Sequence, residues 1–432
     1  MRVLLVHNHY QQRGGEDQVF QDESDLLKRY GHEVLQYTRH NDALKKMGRL
    51  DAARRTVWNS QVYRELGSLI RKERPVLMHC TNTFPLISPA AYSAAKAEGV
   101  AVVQSLHNYR LICPKATLMR DGKVCEDCIG RVVAWPAVKH ACYRESRAAT
   151  ATLVAMSTTH RLLGTLHNKV DRFIALTEFG RKKFVQAGLP AERIAVKPNF
   201  VEPDLGFAHG AGEYVVFVGR LSVEKGIDTL VNAWAQNPTL PPLRIVGDGP
   251  LADVVRAASE KHDHIDWLGS RSPVETQQLI GDAMLLIFPS IWYEGLPKTI
   301  VEAFSRGTPI VASRLGVMEE LIDDDRTGLL FKPGNSAALA DAVKKLASDA
   351  AHLAEMRHDA RKEFELHYTA DRNYASLMNI YADALRHQGN LDAAAIATAC
   401  LTAKRPPHNT SVFSLQHDLQ ALCHEAEEQQ VA

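Results

Sequence analysis

Short apolar runs that end in polar or glycine-bearing loops and hand over to helical stretches recur along this 432-residue chain, in two series. The first series has strand-like runs at residues 3–6, 32–37, 76–79, 100–106 and 173–176, with helical sequence at 16–30, 57–71 and 89–97. Gly31 stops the first of these helices. The second series starts near Tyr214 and reads 214–218, 243–246, 265–268, 284–288 and 309–312. Alternating strand and helix with short connections predicts parallel sheets covered on both faces. The expected fold class is α/β, with two doubly wound, Rossmann-like domains facing one another. Ligands of such folds bind in the crevice at the carboxyl ends of the strands, so motifs at strand ends are read as cleft residues.

Residues 197–203, Lys-Pro-Asn-Phe-Val-Glu-Pro, separate the two series, and the charge changes sign there. Residues 1–200 hold 31 Lys and Arg against 18 Asp and Glu, a net +13; the remainder holds 20 against 32, a net −12. The expected units are a domain over 1–200, a second over 201–368, a helix returning toward the first domain over 369–388, and an appended helical tail over 389–432. Residues 108–145 interrupt the first series as an insertion with four cysteines and no clean periodicity. The composition, 45% hydrophobic and 23% charged, excludes a disordered, collagenous or coiled-coil chain. No apolar run approaches the ~18–20 residues needed to cross a bilayer. The opening Met-Arg-Val-Leu-Leu-Val-His is too short for a secretory h-region, so a cytoplasmic protein is expected.

Four strand-end motifs carry candidate chemistry. Gly219-Arg220-Leu221-Ser222-Val223-Glu224-Lys225-Gly226 follows a strand and opens a helix. A guanidinium, an ammonium and free helix N–H groups together suit an anionic diphosphate; the alternative is a solvated surface turn. Glu294-Gly295-Leu296-Pro297-Lys298-Thr299-Ile300-Val301-Glu302 places one carboxylate at a turn and another inside a helix starting near Pro297. One Glu suits sugar hydroxyls and the other a ribose; the alternative is a capped helix with a structural Glu. Gly14 and Gly15, in Arg13-Gly14-Gly15-Glu16, let backbone approach a phosphate closely or simply form a turn. They are not G-x-G-x-x-G, which disfavours a dinucleotide site. His107 ends a strand, where it faces a cleft or serves the core.

In this order the motifs, together with Gly247-Asp248-Gly249-Pro250, Gly307-Thr308-Pro309 and Thr327-Gly328, resemble a family-4 retaining glycosyltransferase of GT-B fold, of the bacterial surface-polysaccharide type, over about residues 1–388. The resemblance implies that Arg220 and Lys225 hold the diphosphate of a nucleotide-sugar and Glu302 its ribose. It implies that Glu294, with Gly295, Leu296, Pro297 and Thr299, contacts the transferred sugar, and that Leu268 meets the base. Gly14 and Gly15 would border the phosphates, and His107 would sit at the reacting centre. The chain departs from the family pattern at Leu296, where Phe is common, and at Asn108, where Asp often follows the His. Without a D-x-D motif at a strand end, catalysis is expected to need no metal cofactor; Asp323-Asp324-Asp325 is read as a solvated loop.

The basic first domain suggests an acceptor near an anionic membrane, with Lys45, Lys46, Arg49, Arg54, Arg55, Arg71, Lys72 and Arg74 as contributors. The expected partners are therefore a nucleotide-sugar donor, a glycan or lipid-linked acceptor and peripheral contact with the inner membrane face, and no nucleic acid. Two rival functions share the fold: a nucleotide-sugar 2-epimerase and a non-catalytic binding module. Cys113, Cys125, Cys128 and Cys142 contain one Cys-x2-Cys knuckle in a loop with little core of its own, which suits a tetrahedral structural zinc. His140 is a substitute ligand in that reading, and reduced loop thiols are the alternative.

Overall fold

The computed structural model describes residues 1–11, 14–210 and 212–402. The first domain contains β1 (Arg2–His9), β2 (Glu33–His40), β3 (Leu77–Asn82), β4 (Ala101–Leu106), β5 (Met119–Arg120), β6 (Lys123–Val124), β7 (Arg172–Ala175) and β8 (Ile194–Val196). Six of these form a parallel sheet in the order β2-β1-β3-β4-β7-β8, while β5 and β6 make a small antiparallel hairpin in the insertion. The second domain contains β9 (Val215–Val218), β10 (Leu243–Val246), β11 (Ile265–Gly269), β12 (Leu285–Phe288), β13 (Ile310–Ser313) and β14 (Gly328–Phe331), ordered β11-β10-β9-β12-β13-β14, again all parallel. The expected class, two doubly wound α/β domains, is the observed one. The strand order reverses between β1 and β3 in one sheet and between β9 and β12 in the other. Successive loops diverge there and leave a crevice.

The local rules behind the elements are ordinary. The helix Gly15–Arg29 buries Val19, Phe20, Leu26 and Leu27 on one face, carries Glu16 and Asp17 in its first turn and Lys28 and Arg29 in its last, and is followed by Gly31 at φ +77°. Strands β3 and β4 are buried along their whole length, as expected for parallel strands with both faces covered. The helix expected over 57–71 is observed over Ser60–Glu73, and a further helix, Arg49–Val57, precedes it. Asn59 sets the later start: its side-chain oxygen accepts from the N–H groups of Gln61 (3.1 Å) and Val62 (3.3 Å), the geometry of an N-cap. Strands β8 and β14 are further additions.

The helix Ala350–His367 stays with the second domain through Met356, Ala360 and Phe364. The next helix, Ala370–Gln388, crosses back and packs Tyr374, Leu377, Met378, Tyr381 and Leu385 against Val3, Leu5, Leu77, Val103 and Ile174 of the first sheet. A last described helix, Leu391–Ala399, lies against it. From residue 403 on, the expected tail lies outside the described residues. Among the described residues, no helix is long and apolar enough to cross a membrane.

Candidate functional site

The loops after β9 and β12, on either side of the strand-order reversal, are fastened to each other. Gly226 sits at φ +72°, and a Cβ there would stand 2.0 Å from the Pro289 carbonyl oxygen. The Ile291 N–H donates to the Glu224 carbonyl at 3.0 Å. Gly247, at φ +137°, lets the loop after β10 close on Gly219, whose carbonyl oxygen a Cβ would approach to 2.0 Å. Backbone contact this tight excludes side chains, which explains the glycines at 226 and 247.

The two motifs expected to share the donor meet directly. Lys225 Nζ donates to Glu294 Oε1 at 2.7 Å. The same oxygen accepts from Ser290 Oγ and Trp292 Nε1, each at 2.7 Å. All three donors converge on Oε1, and Oε2 takes none of them. The Lys225 ammonium also stands over the rings of Phe288 (5.3 Å) and Trp292 (5.8 Å). Arg220 is exposed in the same loop. The helix Lys298–Arg306 begins just after Pro297, and with Thr299 half-buried in its first turn it presents free N–H groups to this crevice. Pro297 itself supplies no N–H. Glu302, one turn further on, is half-buried beside Lys298 and Asp22; burial pushes its carboxyl above the usual range, with Asp22 adding to the push and Lys298 opposing it. Leu268 is the unpaired residue of a bulge: Ile245 pairs with Trp267 and Val246 with Gly269. Bulges re-aim a side chain next to a site, and Trp267 Nε1 anchors this one on the Gly247 carbonyl at 3.0 Å.

The first domain closes the crevice from the other side. His107 follows β4, and its carbonyl lies so near Gly295 that a Cβ there would approach it to 2.9 Å. Tyr109 Oη donates to the Glu294 carbonyl (3.0 Å), Asn199 Nδ2 to the Leu296 carbonyl (3.3 Å) and Lys298 Nζ to Asp22 (2.6 Å). His107 Nε2 is buried with no hydrogen-bond partner among the described residues. Burial lowers this imidazole to about 4, with Lys197, His79 and His7 adding to the effect and Glu23 opposing it, so the ring is neutral at pH 7. Gly14 and Gly15 lie at the entrance to the first helix, exposed, and a Cβ at either would meet nothing within 4 Å. Packing gives no reason for glycine there.

Sequence reasoning missed the polar cluster beside His107. Asn108 Nδ2 donates to Glu16 Oε1 at 2.7 Å, and Tyr10 Oη donates to Glu16 Oε2 at 2.9 Å. Burial raises the Glu16 carboxyl in spite of these donors. Next to it Asp17 contacts His7 Nε2 (2.8 Å) and His9 Nδ1 (3.2 Å) and accepts from the Gly14 N–H (2.9 Å). The adjacency of Glu16 to Gly15 and of Asn108 to His107 was the available signal. The meeting of residues 92 positions apart was not legible.

Asp323, Asp324 and Asp325 precede β14, at the end of the sheet away from the crevice, and are engaged by Arg326, Arg314 and Lys345. Several cations expected to form a basic face are also paired: Lys45 with Asp42, Arg54 and Arg55 with Asp51, Arg71 with Glu98 and Lys72 with Glu73. A different surface stands out, where Val132, Val133, Trp135, Leu162 and Leu163 are exposed. Arg161 Nη1 on the Arg131 carbonyl (2.7 Å) and Thr158 Oγ1 on the Val132 carbonyl (3.2 Å) hold its two halves together. The thiols of Cys113, Cys125, Cys128 and Cys142 border one small cavity with Lys115 and Arg120. His140 is exposed and does not line it.

Residues 13–205 match the family model described as Glycosyltransferase Family 4, and residues 207–363 match the one described as Glycosyl transferases group 1. The chain is 29% identical over 215 residues to the phosphatidyl-myo-inositol mannosyltransferase of Mycobacterium leprae, covering 46% of this chain and 55% of that protein. It is 25% identical over 226 residues to the amylovoran biosynthesis glycosyltransferase AmsK of Erwinia amylovora, covering 49% and 56%. Among curated relatives the chain spans between 22% and 70% of their length. The crystal structure of Anabaena HepE in complex with UDP-glucose superposes with a TM-score of 0.61 at 18% identity, over 91% of this chain and 100% of that one; at this identity the match speaks to the fold.

Proposed function

The chain belongs to the family-4 glycosyltransferases, and on that premise we propose that it moves a sugar, with retention, from a nucleotide-diphosphate sugar to a glycan or lipid-linked glycan without a catalytic metal. The observation that carries this reading is the Lys225–Glu294 pair between the two loops at the strand-order reversal, with the backbone of His107, whose ring is neutral, against Gly295 from the other domain. Breaking the sugar–phosphate bond builds positive charge on the sugar and negative charge on the leaving diphosphate. Arg220, Lys225 and the first N–H groups of Lys298–Arg306 meet the negative side. Groups of this kind act by stabilising charge that develops in the transition state, and removing one typically costs ~100–1,000-fold in rate. Glu294 Oε2, with the backbone of Gly295 and Leu296, receives hydroxyls of the transferred sugar, and His107 Nε2 bonds the same sugar from the other domain. Glu302 takes the ribose, Leu268 borders the base, and Gly14 and Gly15 approach the phosphates. The leaving phosphate serves to deprotonate the acceptor.

The acceptor side lies in the first domain, where a cavity lined by Asn82, Phe84, Gln104, His107, Asn108 and Arg110 adjoins a larger apolar one. The exposed Val132, Val133, Trp135, Leu162 and Leu163, in a domain of net +13, suit the interface of an anionic membrane that carries a lipid-linked acceptor. The lipid substrate named for the mycobacterial relative and the polysaccharide named for the Erwinia one favour that acceptor class.

The test is thermal stability across a panel of nucleotide-sugars, starting with UDP-glucose, the ligand of the Anabaena structure. A ligand at about 100 times its Kd stabilises the folded state by about 2.7 kcal/mol. One nucleotide-sugar is expected to raise the melting temperature of the wild type and not of Lys225→Ala. A panel with no stabilising member would contradict the donor assignment.

A further inference from the structure

We propose that Cys113, Cys125, Cys128 and Cys142 form a four-thiolate zinc site that holds the insertion 108–145 in shape. The four residues come from three separate stretches of chain, and the fold brings them round one cavity with no other cysteine, histidine or carboxylate in its lining. Cys125 and Cys128 form a knuckle directly after the β5–β6 hairpin, whose end is tied down by the Cys125 N–H on the Leu118 carbonyl at 2.8 Å. Cys142 is set by its N–H on the Ala137 carbonyl at 3.0 Å.

Three features favour a metal over four idle thiols. The first is charge. A zinc with four thiolates carries a net charge of about −2, and the remaining polar side chains of the cavity are the two cations Lys115 and Arg120, the latter bonded to Asp127 at 2.7 Å. The second is the fixed backbone at the first ligand: the Cys113 N–H donates to the Tyr109 carbonyl at 2.8 Å, and the Cys113 carbonyl accepts from the Ala116 N–H at 2.8 Å. The third is the local backbone. Of nine non-glycine residues at positive φ among the described residues, six lie in the insertion: Ala116, Leu118, Asp121, Ala141, Arg144 and Glu145. Such residues cost about 1–2 kcal/mol each. The insertion's own apolar cluster is small, Ala134, Ala137 and Val154 with Cys128, Val138 and Cys142 against them, while Tyr109, Ile112 and Leu118 join the core of the first domain. A metal cross-link adds to that packing in offsetting the cost of the left-handed backbone.

The sulfurs are gathered but not drawn fully together. Among the described residues, His7, His9 and Asp17 are the one set of three ligand atoms within 4.8 Å of one another. Four sulfurs at about 2.3 Å from a zinc stand closer than that, so loading draws the knuckle inward. Cys113 and Cys128 also line the larger apolar cavity that adjoins the His107 pocket, so the metal fixes one wall of it.

The experiment uses the full chain purified without added zinc or chelator. About one zinc per chain is expected, released stepwise as a mercurial reagent titrates the thiols of the native protein. Cobalt exchanged into the site should show the thiolate-to-cobalt charge-transfer band of a tetrahedral sulfur site. Cys128→Ser should lose the metal, and trypsin should then cut at Arg120, Lys123 or Arg131 faster than in the wild type. If that variant does not fold, the mercurial titration and the cobalt spectrum of the wild type decide alone. A folded wild type without metal overturns the site, whether its four thiols alkylate freely or its mass is short of the hydrogens lost to disulfides.

Discussion

Replacing Glu294 with Gln should slow turnover and yet tighten the binding of the nucleoside diphosphate product. Glu294 is 5% exposed, and its Oε1 accepts from Lys225, Ser290 and Trp292, each at 2.7 Å. The amide oxygen of Gln can keep the Ser290 and Trp292 bonds, but it cannot hold the ammonium as a carboxylate does. A hydrogen bond to a charged group contributes about 1.5–3 kcal/mol; the lower end applies, because the Lys225 side chain is 20% exposed and partly solvated. Loss of about 1.5 kcal/mol of competition for Lys225 corresponds to about a tenfold gain in diphosphate affinity. Turnover should fall by about 100–1,000-fold, since the carboxylate that meets the transferred sugar is gone. Calorimetric titration with the nucleoside diphosphate and initial rates with the nucleotide-sugar read the two effects separately. If affinity for the diphosphate falls together with turnover, Glu294 does not compete with the donor for Lys225 and the reasoning fails.

Gly15→Ala should leave stability equal or higher, because the position is helical, exposed and open within 4 Å, while the KM for donor rises about tenfold from loss of close approach; an unchanged KM would remove the loop from the site. Stability should also fall between pH 6.5 and 5. His32, His79 and His107 are lowered to about 4 by burial, so the unfolded chain, with histidines near 6.5, binds more protons in that window. The raised Glu16 and Glu302 carboxyls push the opposite way, so the diagnostic is the slope of urea midpoint against pH, which should be shallower in His79→Gln; equal slopes would refute the assignment. The wild type should bind anionic vesicles and be released by salt, as exposed charges are screened beyond ~8 Å at physiological ionic strength, and Trp135→Asp should bind less. Binding that ignores salt, or an unaltered Trp135→Asp, would place the contact elsewhere.

Much of this was legible in linear order because strand, loop and helix follow each other within a few residues in a doubly wound fold. The Gly219–Gly226 and Glu294–Glu302 segments announced their places at strand ends without any tertiary information. Contacts that cross between segments were not legible. Nothing in the sequence sets Glu16 against Asn108, or Lys225 against Glu294, since burial and strand order decide which loops face each other. Asn59 caps the third helix, which is why that helix starts at Ser60 and not at Val57 as its apolar spacing suggests. Charge pairing was not legible either: a count of charges does not register that Asp51 sits three and four residues before Arg54 and Arg55 on one helical turn.

The most direct measurement is nuclear magnetic resonance of the purified chain turning over a nucleotide-sugar with a membrane-extracted or synthetic lipid-linked acceptor, following the anomeric proton. The account predicts loss of the donor signal, release of the nucleoside diphosphate and a product with the donor's anomeric configuration, at a rate cut strongly by Lys225→Ala and unaffected by chelators of magnesium or manganese. An inverted product, a donor converted to its 2-epimer with no transfer, or turnover that depends on added magnesium or manganese would contradict it.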